Sequence, residues 1–392
     1  MTVEPVVIAG AARTPLGRFL GALAAVPAPR LGAAAIGAAL ARGGIAPGAV
    51  DAVLMGCVLP AGLGQAPARQ AARAAGLPDS AGAATVNKVC GSGMQAAMLA
   101  HDMIRAGSAA LVVAGGMESM SGAPYLLDRA RGGYRVGHAR LFDHMMLDGL
   151  EDAYEPGRSM GSFGELCASA YQFTRQAQDE YAIRTLTRAQ AAVAGGDFDA
   201  ETVPVAPPGG AALARDEIPP RLSAGKIPSL KPAFGADGTI TAASAAANAD
   251  GAAALVLASR EAAARAGLAV RAEIRGHAVH AQAPEWFTTA PVFAIRALLD
   301  RVGWSVADVD LFEINEAFAV VVMAAIRDLD LDPARVNVSG GACALGHPIG
   351  ATGARLIVTL LHALERTDKR RGVAALCIGG GEATAIAIER NI

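Results

Sequence analysis

Short runs of β-branched and aliphatic residues alternate with alanine-rich stretches of helical length through much of the chain. Residues 5–9 (PVVIA), 51–58 (DAVLMGCV), 83–86 and 110–114 (ALVVA) read as strands, with helices between them at 31–42, 67–75 and 92–106. The rhythm resumes later: strands near 252–258, 272–281, 308–313, 335–338 and 373–378, and helices near 291–302, 316–328 and 350–365. Such alternation predicts an α/β fold built on a mostly parallel sheet covered on both faces.

Between about 120 and 245 the pattern changes. Arg, Asp, Tyr, Pro and Met become commoner, residues 203–238 are rich in Pro and Gly, and one helix is expected at 175–194. This stretch is too long for a structureless loop, so an inserted domain over the sheet is expected. The flanking halves echo each other. Val86-Asn87 leads through glycines and a helix to ALVVAGG (110–116), and Val336-Asn337 leads through glycines and a helix to AALCIGGG (374–381). The expected division is 1–120, completed by about 246–270, then 121–245, then 271–392.

Composition narrows the function. With 53% hydrophobic and 18% charged residues, a large core forms readily, and 4% aromatics favours close helix–sheet contact. A net charge of −2 argues against nucleic-acid or membrane-surface binding. The apolar runs are too short to span a bilayer. Five widely spaced cysteines, with no CxxC pair, give neither a disulfide framework nor a zinc motif. His277 and His280 fall in a predicted strand, so no metal site is expected. A reducing cytosol is the expected compartment, since the first residues lack a basic-then-apolar signal peptide.

Cys90 lies in NKVCGSGMQAA (87–97), at a predicted strand-to-helix turn. The positive end of the helix dipole is expected to lower its pKa, and Gly91 and Gly93 permit close approach of a ligand or another backbone. A buried, inert thiol is the bland alternative. Gly91, Gly93 and Ala96 also satisfy a relaxed GxGxxA dinucleotide pattern, with Glu118 where a ribose-binding acid could sit.

His347 occupies a glycine-rich loop, GGACALGHPIGATGAR (340–355), where an imidazole can take a proton from a thiol or hydrogen-bond a thioester oxygen. Cys377 opens CIGGG (377–381) at a strand end, offering a soft base beside backbone N–H groups, or simply a small buried side chain. In NEAFA (315–319), Asn315 and Glu316 read as a helix cap, or Asn315 as the holder of a water in an oxyanion site.

Taken in order, these motifs resemble the thiolase family, and VVIAGAARTPLGRF (6–19), AGGMESMS (114–121), KPAF (231–234) and DGAAALVL (250–257) extend the resemblance along almost the whole chain. It implies a thiolase fold: two similar βαβ-rich halves forming layered helices and mixed sheets, with an inserted loop domain. It further implies reversible acyl transfer between CoA and a 3-ketoacyl-CoA, foremost acetyl-CoA C-acetyltransferase, with a broader-chain 3-ketoacyl-CoA thiolase as the alternative. Cys90 would carry the acyl group and His347 would activate it. Asn315 would hold a water, Cys377 would act as acid/base, and the Cys90 and Gly379 N–H groups would form an oxyanion hole.

By the same resemblance Met160, Phe234, Phe287, Ala317 and Phe318 would contact substrate. Acetyl-CoA, acyl-CoA and CoA are the implied small-molecule partners, coenzyme A being substrate and product with no permanently bound cofactor. A homodimer or homotetramer is implied too. Three positions depart from the usual pattern: Ala246 replaces a serine that contacts CoA, with Ser244 nearby, while Ser159 and Phe287 replace histidine or methionine in some members. With four lysines in the chain, arginines must supply most phosphate-binding charge.

Overall fold

The first strand, β1 (Val6–Arg13), is buried along its entire length in the computed structural model, which describes residues 4–390. Val6 and Ile8 face one apolar core and Val7 and Ala9 another. A register shift between Ile8 and Gly10 reverses the phase, so Ala11 joins the first core and Ala12 the second. A strand with apolar residues on both faces must be covered on both.

Eight more strands continue the sheet: β2 (Ala52–Gly56), β3 (Gly82–Val86), β4 (Leu111–Ser119), β5 (Ala249–Ser259), β6 (Ala272–Ala281), β7 (Leu311–Ile314), β8 (Arg371–Ile378) and β9 (Glu382–Glu389). Their order is β7-β8-β9-β6-β1-β5-β4-β2-β3, with Gly17–Arg18 pairing onto β5. The halves repeat one topology. β1 runs antiparallel to β5, β5 antiparallel to β4, and β4 and β3 both parallel to β2. In the same way β6 pairs antiparallel with β9 and β9 with β8, while β8 is parallel to β7, and the Val336 bridge lies parallel on Phe312. β1 and β6 join the wings in antiparallel register.

The sheet is therefore mixed, which corrects the mostly parallel expectation. Its antiparallel character comes from β5, returning from the long insertion, and from β9, which the sequence pattern missed. Gly379–Gly381, the glycines of CIGGG, are the hairpin turn that sends β9 back along β8, and Gly380 and Gly381 have φ of +91° and +92°. Residues 335–338 form a bridge at Val336 rather than a strand.

Helices α1 (Ala28–Arg42) and α2 (Pro67–Ala74) cover the outer face of the first wing. Between the wings lies α3 (Ser92–Arg105). The insertion carries α4 (Met160–Ala170), unforeseen because MGSFGELCASA is glycine-rich, and α5 (Arg175–Gly195), close to the predicted 175–194. Helices α6 (Ala290–Val302) and α7 (Ala319–Leu329) cover the outer face of the second wing. The last helix, α8 (Ile349–Arg366), is buried on every side from Ile349 to Leu364 and shares the central layer with α3. The result is five layers, helix–sheet–helix–sheet–helix. At the centre α3 and α8 nearly touch: a Cβ on Gly93 would stand 2.8 Å from the Ala354 nitrogen.

Candidate active site

The N-termini of the two central helices converge, and each is preceded by a chemically active side chain. Before α3 the chain turns sharply. Val89 has φ +45°, a costly conformation for a β-branched residue. Local bonds hold it there: Val89 N donates to Asn87 Oδ1 at 3.0 Å, Lys88 N donates to Ser92 Oγ at 2.8 Å, and that hydroxyl donates to Val89 O at 2.6 Å. The elbow presents Cys90 at the mouth of a helix.

Gly91 and Gly93 serve protein packing rather than a ligand. A Cβ on Gly91 would strike the Ile378 side chain, while Gly93 abuts α8. Glu118 is fully buried, accepting from the N–H groups of Val58, Leu59 and Gly350. The dinucleotide reading thus loses both its glycine cradle and its acid.

Cys90 opens onto a cavity of about 440 Å³ that also exposes His347 and Gly379. Met160, Phe234, Phe287, Ala317 and Phe318 all lie on its wall, so the insertion and both halves contribute. Cys377 and Asn315 sit behind the wall. Cys377 is buried among Phe163, Cys167, Phe287 and Phe318. Burial and then the nearby Cys90 thiol push its pKa well above the ordinary range. Asn315 is completely buried, and neither atom of its side-chain amide has a hydrogen-bond partner among the described residues.

Burial also pushes the Cys90 thiol up, to about 11, although the N–H groups of Gly379 and of Cys90 itself favour the thiolate. The expected lowering at the helix start is overturned: loss of hydration outweighs those donors. Cys90 therefore rests as a thiol, and as a nucleophile it would need a base.

His347 faces the same cavity. Its backbone N–H donates to Ala247 O at 2.8 Å, fixing the loop. Its Nδ1 lies 2.7 Å from Thr352 Oγ1, and that hydroxyl lies 3.0 Å from Pro348 O. A carbonyl only accepts, so with the single hydroxyl proton directed to Pro348 O, Thr352 accepts from Nδ1–H. The remaining nitrogen, Nε2, then carries the lone pair, and it has no hydrogen-bond partner among the described residues. Burial, followed by the Arg355 guanidinium, depresses the His347 pKa to about 3, keeping the ring neutral.

Glu316 is not a helix cap, since α7 begins at Ala319. Its carboxylate accepts from Tyr181, Thr185, Asn337 and the backbone N–H of Cys343. It thereby ties the segment bearing Asn315 to the loop bearing His347. Thr352 and Glu316 were missed as site residues although both lie inside recognised motifs. Their roles depend on partners distant in the chain or on a hydroxyl direction.

Family models described as thiolase, N-terminal domain, and thiolase, C-terminal domain, match residues 6–261 and 268–390. The chain belongs to the thiolase family. Acetyl-CoA acetyltransferase 2 of Arabidopsis thaliana is 49% identical over 98% of this thiolase and 96% of the relative. Acetyl-CoA acetyltransferase of Cupriavidus necator is 48% identical over 98% and 99%. The crystal structure of a thiolase from Ascaris suum in complex with coenzyme A is 43% identical, with a TM-score of 0.94 over 99% of this thiolase and all of that chain. The three departures, Ala246, Ser159 and Phe287, all lie on the cavity wall of this thiolase. Ser244 does not compensate for Ala246: it is fully buried, its hydroxyl accepting from Thr241 N at 2.9 Å.

Proposed function

We propose that this thiolase-family acyltransferase is an acetyl-CoA C-acetyltransferase, interconverting two acetyl-CoA with acetoacetyl-CoA and CoA through an acetyl thioester on Cys90. The observation that carries this reading is the convergence of the Cys90 thiol, His347 and the Gly379 turn on one apolar cavity, with Cys377 directly behind it. His347 Nε2 takes the Cys90 proton as sulfur attacks the thioester carbonyl, and the oxyanion rests on the N–H groups of Cys90 and Gly379. CoA leaves with the proton that His347 returns.

In condensation, Cys377 first passes its own proton to the neutral His347 and then, as thiolate, removes an α-proton from the second acetyl-CoA. The carbanion attacks the acetyl carbonyl, and Cys90 leaves as thiolate and is reprotonated from His347. A water held by Asn315, together with His347, stabilises the enolate oxygen. In thiolysis the roles reverse, and a Cys377 thiol kept protonated by burial is the form that must protonate the leaving enolate.

Coenzyme A enters as substrate and product. A hollow of about 320 Å³ lined by Arg18 and Arg221 shares Ala247 and Asn248 with the catalytic cavity. These two arginines are our candidates for the CoA phosphates. We retain the division into residues 1–120 with 246–270, an insertion at 121–245 that supplies CoA contacts, and 271–392. We also read the enzyme as a cytosolic homodimer or homotetramer, supported by the exposed edge strand β3. Among the described residues, no helix is long and apolar enough to cross a membrane.

Thiolysis kinetics over a series of 3-ketoacyl-CoA chain lengths test the assignment. We expect kcat/KM to be highest for acetoacetyl-CoA. A maximum at medium or long chains would replace it with the second reading, a broader 3-ketoacyl-CoA thiolase, for which the small Ala233, Ala242 and Ala245 on the wall leave room.

A further inference from the structure

At the far end of α3 from Cys90, three side chains separated by up to 176 positions meet. His101 and Asp102 come from α3 and His277 from β6, and each places a ligand atom within 4.8 Å of the other two. Nδ1 of His101 stands 3.0 Å from Asp102 Oδ1, and Nε2 of His277 stands 2.9 Å from the same oxygen. The imidazoles meet edge to face, with ring centres 5.0 Å apart.

We propose that His101, Asp102 and His277 form a binding site for a divalent transition cation, zinc(II) in the first instance, on the side of the central helix layer away from the acyl-transfer cavity. Two imidazoles and one carboxylate are a donor set that suits zinc, with metal–ligand bonds of about 2.0–2.2 Å. Tetrahedral donors at that range lie roughly 3.3 Å apart, so the two nitrogen–oxygen pairs open by a few tenths of an ångström while the imidazole nitrogens, within 4.8 Å of each other, close toward the ion. All three residues stand on a helix and a strand rather than on loops, which holds the set in place.

Exposure is graded in a way that suits a cation. The side chain of His101 is 4% exposed and that of His277 14%, whereas that of Asp102 is 59% exposed. The ion would enter past the carboxylate and keep water in the remaining position. The strand side is braced, since Arg301 donates to the His277 carbonyl.

One charge opposes binding: Arg105, one turn along α3, acts on His101. The site is therefore expected to be of moderate affinity, and its effect structural, clamping the central helix that presents Cys90 to the second wing. Sequence spacing could not reveal it, because His277 meets its partners only through the packing of β6 against α3. About eleven residues of helix, roughly 17 Å, separate it from the catalytic thiol, so occupancy of the two sites is independent.

The test uses the full-length protein stripped with chelator and dialysed against zinc chloride near pH 7.5, with Asp102→Asn and His277→Gln alongside. The wild type is expected to hold one more zinc per chain than either variant, or to bind it at least ~10-fold more tightly, and only the wild type should gain thermal stability with zinc. Thiolysis by the metal-free variants should stay at the wild-type level, which establishes that they fold. Cobalt(II) distinguishes this site from the thiols: visible d–d bands without strong sulfur-to-cobalt charge transfer are expected for the equivalent that Asp102→Asn loses. Equal zinc binding by wild type and Asp102→Asn, or a cobalt spectrum carrying only sulfur charge transfer, would overturn the proposal.

Discussion

Replacing Thr352 by valine keeps the shape of the side chain and removes the one acceptor that sets the His347 tautomer. In the wild type the Thr352 hydroxyl donates to Pro348 O and accepts from His347 Nδ1–H, leaving the lone pair on Nε2, the base we propose for Cys90. Valine leaves a buried N–H without an acceptor, which costs about 1–3 kcal/mol. Alternatively the proton moves to Nε2, and the nitrogen facing the cavity ceases to be a base. Passing 1–3 kcal/mol to the transition state lowers the rate of Cys90 acylation by about 5- to 150-fold.

The assay is single-turnover transfer of labelled acetyl from acetyl-CoA to Cys90, measured with Thr352→Val and Thr352→Ser. Serine restores the acceptor, so it should recover most of the rate, whereas KM for CoA should change little in either variant. Thermal denaturation controls for loss of fold, because Thr352 is fully buried. Wild-type acylation in folded Thr352→Val would refute the tautomer argument. Equal losses in the serine and valine variants would show that packing alone matters at this position.

Three further outcomes are expected. Cys90 is the one partly accessible cysteine of the five, so iodoacetamide should label it first; with its thiol near 11, labelling should accelerate up to about pH 11, and a plateau near pH 7 would reveal a thiolate–imidazolium pair instead. Cys377→Ala should spare acetylation of Cys90 yet slow acetoacetyl-CoA thiolysis by ~10²–10⁴-fold, and near-normal thiolysis would remove Cys377 as the acid/base. Because the His347 pKa falls from 6.5 to about 3 on folding, the unfolded chain binds a proton that the native protein refuses. Stability is then complete above about pH 6.5 and falls toward pH 3, by about 2 kcal/mol at pH 5 from this residue alone. Denaturant titrations of wild type and His347→Ala at pH 8 and pH 5 would measure the difference, and an equal pH dependence in both proteins would contradict it.

Local pattern was enough to locate most strands and helices and to single out Cys90, His347 and Cys377, because side-chain period and glycine-rich turns are properties of neighbours in the chain. The repeated Val-Asn-to-glycine passages also foreshadowed the two wings of one topology. Strand direction was not local. CIGGG read as an oxyanion motif, and only the pairing of β8 with β9 showed it to be a hairpin as well. The pKa of Cys90 reversed for a similar reason: a helix start is visible in the sequence, but desolvation depends on the layers that close over the thiol. Which side chains line the cavity and which stand behind it, as Cys377 and Asn315 do, follows from how the wings and the insertion fold together. The His347 tautomer rests on local bonds, from His347 to Thr352 and from Thr352 to Pro348, whose geometry only the structure supplied, whereas the meeting of His101 and Asp102 with His277 rests on β6 lying beside α3. Burial and the approach of distant residues are set by contacts across the fold, whereas periodicity and motif are written along the chain.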